Sequence, residues 1–200
     1  MKIILIGAKG TIGRAVHELL KKNHQVIPVG FSEGEYQVDI TQTASIKGLF
    51  EKIGKVDAVI STTGISAFGE IGKLTDEQFS LGWKNKLMGQ INILRVGLPF
   101  LHNGGVVLLT SGMLAEEPTP GSSATSATNG ALNSFVKAAA IDLKDTLRIN
   151  TVSPIFVKET MEMMGMEAGN GMSASDTAKA YQAGIEGSMT GEVIDVRCYI

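Results

Sequence analysis

The first twenty residues, MKIILIGAKGTIGRAVHELL, constrain this chain more than any other stretch. The apolar run Ile3, Ile4, Leu5 and Ile6 is too short for anything but a buried strand. Gly7, Gly10 and Gly13 follow, and Ile12, Ala15, Val16, Leu19 and Leu20 then recur on one face of a helix. Strand, glycine turn and helix N-terminus in that order make a site for an anion. Glycines let a ligand approach the backbone, and the free N–H groups and the helix dipole face its negative charge. A purely structural turn is the other reading of the same glycines.

The remainder alternates. Residues 25–29 (QVIPV) and 36–40 (YQVDI) read as strands, 43–53 as a helix with Ile46, Leu49, Phe50 and Ile53 inward, and 56–61 (VDAVIS) as a fourth strand. A loop-like stretch, TTGISAFG, leads to a long helical region over 75–101. One stripe of that region holds Leu87, Ile91, Leu94, Leu98 and Leu101, and a second holds Ile93, Val96 and Phe100. A helix apolar on two sides is buried on two sides, against the sheet and a partner subunit, so a homodimer or homotetramer is expected. The strand VVLLTS, ending at Ser111, a helix over 122–145, the strand RINTVS over 148–153, a helix over 175–185 and the strand EVIDV over 192–196 complete the chain. This alternation predicts an α/β fold of the doubly wound Rossmann type, with about seven parallel strands and helices on both faces.

Two hundred residues suit one domain, spanning 1–200, with a single buried core. A net charge of -2 without a basic cluster argues against a nucleic-acid surface. The only cysteine, Cys198, excludes an internal disulfide, fits a reducing cytosol and is expected to be structural near the end of the last strand. No apolar run is long enough for a membrane span or a leader peptide, which leads to a cytoplasmic expectation. His17, His24 and His102 have no metal-ligand neighbours, so no metal site is supported.

Six motifs in order resemble the short-chain dehydrogenase/reductase family, and the likeness covers nearly the whole chain. They are the glycine turn; V-D-I-T at 38–41; T-T-G at 62–64, similar to the family's N-A-G; G-G-V-V-L-L-T-S ending at Ser111; L-R-I-N-T-V-S-P at 147–154; and T-G-E-V-I-D-V from Thr190. The resemblance implies a site for NADP or NAD. Gly7, Gly10 and Gly13, with the N–H groups of Thr11 and Ile12, would hold the pyrophosphate. Asp39 would meet the adenine edge; Thr62, Thr63 and Gly64 would pass under the adenosine ribose; and Pro154 would belong to the cofactor site. Asp39 could equally begin a turn or cap the next helix. NAD enzymes place a carboxylate after the second strand, but here Gly30-Phe31-Ser32 brings no acid before Glu33. Lys9 resembles the basic residue of NADP-preferring relatives, and with the Ser32 hydroxyl it suits a 2′-phosphate; a solvated loop lysine is the alternative. NADP is therefore expected in preference to NAD.

The catalytic positions of the family are largely substituted. Active members use a Tyr, a Lys four residues later, a Ser and an Asn. An unperturbed Tyr titrates at about 10, and a cation one helical turn away makes it a usable acid near neutrality. Ser111 matches the Ser. Aligning A-T-S-A-T-N-G-A-L at 124–132 with Y-S-A-S-K-A-A-L places Thr125 at the Tyr and Asn129 at the Lys. Counting thirteen residues back from Pro99 places Lys86 at the Asn, with Asn85 adjacent should the helix shift by one residue. Lys86 is either a desolvated acid in the cleft or a helix-surface lysine. After Pro154, Ile155 stands where the family has Gly, and Thr160 stands one position late. The segment 161–172, with five methionines and three glycines, lies at the family's substrate loop and would line an apolar pocket, pack, or meet a partner. Two functions follow: an NADP(H)-dependent oxidoreductase on a small carbonyl or alcohol with altered acid–base chemistry, or an inactive nucleotide-binding sensor or scaffold. A structural subunit of an oligomer is compatible with either.

Overall fold

The structure is a computed structural model describing all of residues 1–200. Strand β1 (Lys2–Ile6) leads through the glycine turn into α1 (Thr11–Leu20). Strands β2 (Gln25–Gly30) and β3 (Tyr36–Gln37), helix α2 (Thr43–Ile53) and strand β4 (Val56–Ser61) follow. Helix α3 (Asp76–Gly82) opens with a capping box in which Thr75 and Gln78 satisfy each other's backbone N–H groups. A π-helical turn, Trp83–Leu87, joins it to α4 (Met88–Gly97). The second half contains β5 (Leu101–Thr110), α5 (Ser123–Asp142), β6 (Leu147–Ser153), α6 (Lys158–Met163), α7 (Ala174–Glu186) and β7 (Val193–Asp195).

All seven strands are parallel, in the order β3-β2-β1-β4-β5-β6-β7. Strand β1 shows why continuous apolar runs are needed here. Ile4 and Ile6 enter a core with α2, α4 and α5, while Ile3 and Leu5 enter a second core with α1 and α7. Side chains alternate across a strand, so a sheet covered on both faces needs hydrophobes at every position. The order runs one way from β1 through β2 and the other way through β4, which places a crevice at the carboxyl ends of β1 and β4.

Several expected boundaries move. The helical region expected over 75–101 is broken by the π turn and ends in the 3-10 turn Leu98–Phe100, and Leu101 already belongs to β5. The third strand pairs only at Tyr36 and Gln37, because Asp39 is taken up in a side-chain turn with Thr41. The last strand stops at Asp195, whose carboxylate accepts the Arg197 N–H and starts a 3-10 turn, Val196–Tyr199. Cys198 lies on that turn and is exposed, so it packs into no core.

The glycine turn is set by close approach. Gly7 has φ +89°, and a Cβ there would lie 2.6 Å from Thr63 Cγ2. At Gly13 a Cβ would lie 2.1 Å from the Gly7 carbonyl oxygen, so only glycine lets α1 seat against the turn. Gly13→Ala should therefore destabilise the chain by roughly 1–3 kcal/mol. Gly48→Ala, in α2 with open space at that point, should leave stability unchanged or raise it by up to about 1 kcal/mol. Denaturant midpoints of the two variants check both expectations.

Candidate functional site

Two clefts open at the carboxyl edge of the sheet and share Thr62, Thr63 and Gly64 as their common wall. The first, of about 360 Å³, lies over the glycine turn and includes Gly7, Lys9, Gly10, Gly30, Phe31, Asp39 and Asn85 in its lining. Gly10 closes the turn by donating its N–H to the Gly7 carbonyl at 3.0 Å. The N–H groups at the start of α1, on Thr11 and Ile12, have no partner within the helix, as at any helix N-terminus, where an anion is favoured. The Lys9 stem runs beside Gly30 and Gly34. Ser32 is exposed and is not part of the lining of this cleft. Asp39 begins a turn, its Oδ1 accepting from the Thr41 N–H and hydroxyl, and the residue also lines the cleft. Thr62 Oγ1 lies 3.2 Å from the carbonyl oxygens of Ile6 and Gly7, tying β4 to the turn.

The second cleft, of about 320 Å³, gathers Ser111, Thr125, Asn129, Lys86 and Pro154, with Ile12 reaching in from α1. Phe68, Met113, Leu114, Ile155 and Phe156 form its apolar side. Every position aligned with the family's catalytic residues therefore meets in one place. Their engagements differ. The Thr125 hydroxyl lies 3.0 Å from both Ser66 Oγ and the Ala67 carbonyl and spends its proton there. Asn129 donates from Nδ2 to the Gly112 carbonyl at 3.2 Å, and its buried Oδ1 has no protein partner. Ser111 is buried, with Oγ 3.4 Å from the Val152 carbonyl.

Lys86 is not a helix-surface lysine. Its Nζ donates to the Ser111 carbonyl at 2.7 Å, and its stem lies against Gly64, where a Cβ would come within 2.5 Å of Lys86 Cγ. Gly64, at φ +132°, is what gives the stem room. Burial pushes the ammonium down to about 8. The π turn explains the placement. The Met88 N–H reaches the Trp83 carbonyl, a five-residue span that admits one residue beyond a regular α-turn. As a result Asn85 and Lys86 serve different clefts. Asn85 accepts the Ile65 N–H at 2.8 Å and lines the first cleft, while Lys86 enters the second. Residue spacing suggested an ambiguity of one position here; the π turn resolves it by using both residues.

Sequence reasoning missed two supports. Gln90 gives its side-chain amide to both backbone groups of Thr110, accepting the N–H at 2.8 Å and donating to the carbonyl at 2.9 Å. The Thr110 hydroxyl donates to the Ser61 carbonyl at 2.6 Å and meets the buried Tyr181 hydroxyl at 2.7 Å. Burial raises the Tyr181 phenol well above its ordinary value, so this tyrosine stays neutral and braces the strand that carries Ser111. A polar residue on an apolar helix face, Gln90, was the available signal.

The family model described as enoyl-(acyl carrier protein) reductase matches residues 6–193. The chain belongs to the short-chain dehydrogenase/reductase family. A short chain dehydrogenase of Claviceps purpurea is 29% identical over 157 residues, covering 74% of this chain and 60% of the relative. Versicolorin reductase 1 of Dothistroma septosporum is 28% identical over 154 residues, covering 74% and 59%. The chain thus spans about 60% of the length of these curated relatives. Among solved structures, the protein lin1944 of Listeria innocua superposes with a TM-score of 0.93 at 39% identity, covering 98% of this chain and 99% of that one. A small-chain dehydrogenase in complex with NADPH superposes with a TM-score of 0.88 at 28% identity, covering 98% and 95%. This short-chain dehydrogenase/reductase shares with its family a nicotinamide-cofactor fold, and its clefts fit such a group: a glycine cradle at a helix N-terminus on one side, and an unpartnered buried amide oxygen on the other.

The buried ammonium has a cost in stability. Each unit of pKa displacement is worth about 1.4 kcal/mol, so holding Lys86 charged in the cleft costs on the order of 3 kcal/mol. The folded value is the lower one, so the cost is full below pH 8 and is relieved as pH rises from about 8 towards the ordinary 10.5. Lys86→Met should accordingly raise the midpoint of unfolding at pH 7, with the gain shrinking above pH 8; thermal melts across that range check it.

Proposed function

We propose that this chain is an NADP(H)-dependent oxidoreductase acting on a small carbonyl or alcohol. The observation that carries the reading is the junction of the two clefts. The anion cradle and a cleft holding Ser111 and Lys86 share the wall Thr62–Gly64, so a dinucleotide in the first presents its far end in the second. In this reading Gly7, Gly10, Gly13, Thr11 and Ile12 hold the pyrophosphate. Asp39 holds the adenine edge, Thr62 to Gly64 lie under the ribose, and Pro154 closes the nicotinamide end. Lys9 pairs with the 2′-phosphate; its presence in the lining and the lack of an acid before Glu33 support NADP over NAD. The exposed Ser32 hydroxyl is a second donor to that phosphate in this reading. The bound cofactor supplies hydride to carbonyl carbon or accepts it from an alcohol. The chain's own residues orient the substrate oxygen, through the Ser111 hydroxyl, and exclude water with the apolar wall of Phe68, Leu114, Ile155 and Phe156. Superposition on an NADPH-bound dehydrogenase supports the reading.

A second reading, a nucleotide-binding protein without turnover, is favoured by Thr125. Its hydroxyl is committed to Ser66 and Ala67, and Asn129 brings no positive charge. We place the protein in the cytoplasm, in keeping with its single cysteine. We also assign it to a homo-oligomer, in keeping with Met88, Leu98 and Ile141 exposed on α4, the turn that ends it and α5.

Calorimetric titration with NADPH and NADH tests the first step. NADPH should bind at least tenfold more tightly, and Lys9→Ala should remove most of that preference; tighter NADH binding would overturn it. A wild-type chain that consumes NADPH with a ketone excludes the second reading. An inert wild type together with an active Thr125→Tyr/Asn129→Lys variant would establish it.

A further inference from the structure

Carbonyl reduction needs a proton on oxygen as well as hydride on carbon, and the second cleft offers few sources for it. The elements closing around Lys86 are the segment 62–68 after β4, the end of β5 with 110–114, α5 at Thr125 and Asn129, the segment 154–156 and the N-terminus of α1 at Ile12. They present hydroxyls, one amide and hydrocarbon. None carries a charged or titratable side chain, so Lys86 is the one ionisable group lining the cleft. On its own turn, Lys84 is exposed to solvent. The hydroxyls of Ser111 and Thr125 do not ionise near neutrality, and that of Thr125 is already spent as a donor. The tyrosine nearest these residues, Tyr181, is fully buried behind Thr110 and does not line the cleft.

We propose that Lys86 is the proton donor to the substrate oxygen, delivered by the π turn into the cleft where Ser111 and Asn129 hold the substrate end. The proposal rests on the oxidoreductase reading above. At rest the ammonium is parked on the Ser111 carbonyl at 2.7 Å, one bond of the three it can donate. A reduced nicotinamide held in the first cleft would supply the hydride for the new C–H bond, with the C=O π pair moving to oxygen. That oxygen takes a proton as one N–H bond of Lys86 breaks, leaving a neutral amine that regains its proton from water. In the oxidative direction the neutral amine accepts the alcohol proton. Burial among uncharged groups suits the role, because an ammonium near 8 is charged at neutral pH yet releases its proton readily. The unpartnered Oδ1 of Asn129 is free to accept a hydroxyl from the ligand on the opposite wall.

The test uses the whole chain with NADPH and three probes: cyclohexanone, acetophenone and ethyl acetoacetate. Wild-type kcat/KM should fall above about pH 8, and Lys86→Met should lose at least about 100-fold in kcat. Lys86→Arg keeps the charge but holds its proton too firmly, so it should stay near the Met level. Lys86→Ala opens space beside Gly64, and added ethylamine should restore turnover saturably, with an efficiency that follows the pKa across a series of small amines. A purely structural lysine would give no such rescue. NMR of protein carrying 13C-labelled lysine should show Lys86 titrating near 8. Lys86→Met within threefold of wild type, a profile flat from pH 6 to 10 or a lysine titrating above 10 would each overturn the proposal while leaving the oxidoreductase reading in place. No NADPH consumption with any probe, alongside intact NADPH binding in the calorimeter, would instead remove that reading and the proposal with it.

Discussion

Parallel strands stay together only while their backbone groups are paired, and β4 and β5 stop pairing before β5 ends. Their last matched residues are Ile60 and Leu108, whereas β5 runs on to Thr110. Beyond that point the edge of β5 facing β4 has lost its partner strand, and buried amides without partners are costly. Gln90 supplies the missing partner with both ends of its side chain, and the Thr110 hydroxyl ties back to Ser61. The split can therefore remain open without unravelling. Thr62, Thr63 and Thr110 at the edges of that gap line the second cleft, with Ser111 immediately after the braced residue.

Charge is distributed with the same economy. The first cleft lies at a helix N-terminus, where backbone N–H groups and the helix dipole offer partial positive charge without burial of a full one. The second holds one full charge and no counter-ion, and tolerates it because a backbone carbonyl accepts from Lys86 and the cleft mouth is open to water. Placing the ammonium there works against folding, and displaced pKa values of this kind gather at functional sites.

Much of the fold was legible because burial on both sheet faces leaves a continuous apolar signal at Ile3–Ile6 and in the strand ending at Ser111. The glycine turn was legible because two of its three glycines, Gly7 and Gly13, answer to steric demands, visible as contacts closer than a Cβ allows. Ser111, Thr125 and Asn129 were placed by motif order, and they do meet. What they bond to was not readable: the Thr125 hydroxyl is taken by Ser66 and Ala67, residues of a loop with no period of its own. Lys86 was the hardest to read. Its position was counted back from Pro99, and helical periodicity carries no mark for a turn with one residue too many. The extra turn at the end of β7, which leaves Cys198 exposed, depended likewise on one side chain, Asp195, capping the strand early.

The π turn gives adjacent residues separate addresses. Asn85 and Lys86 are neighbours in the chain, yet an amide is posted to one cleft and an ammonium to the other. Consecutive positions on any helix point about 100° apart, so neighbours can reach two compartments divided by a single wall; the extra residue acts as a phase step that fixes which letter is read where. Changing the chemistry of either compartment then needs only one substitution, at 85 or at 86, without disturbing the other. A slip of one residue in that turn would misdeliver both groups at once.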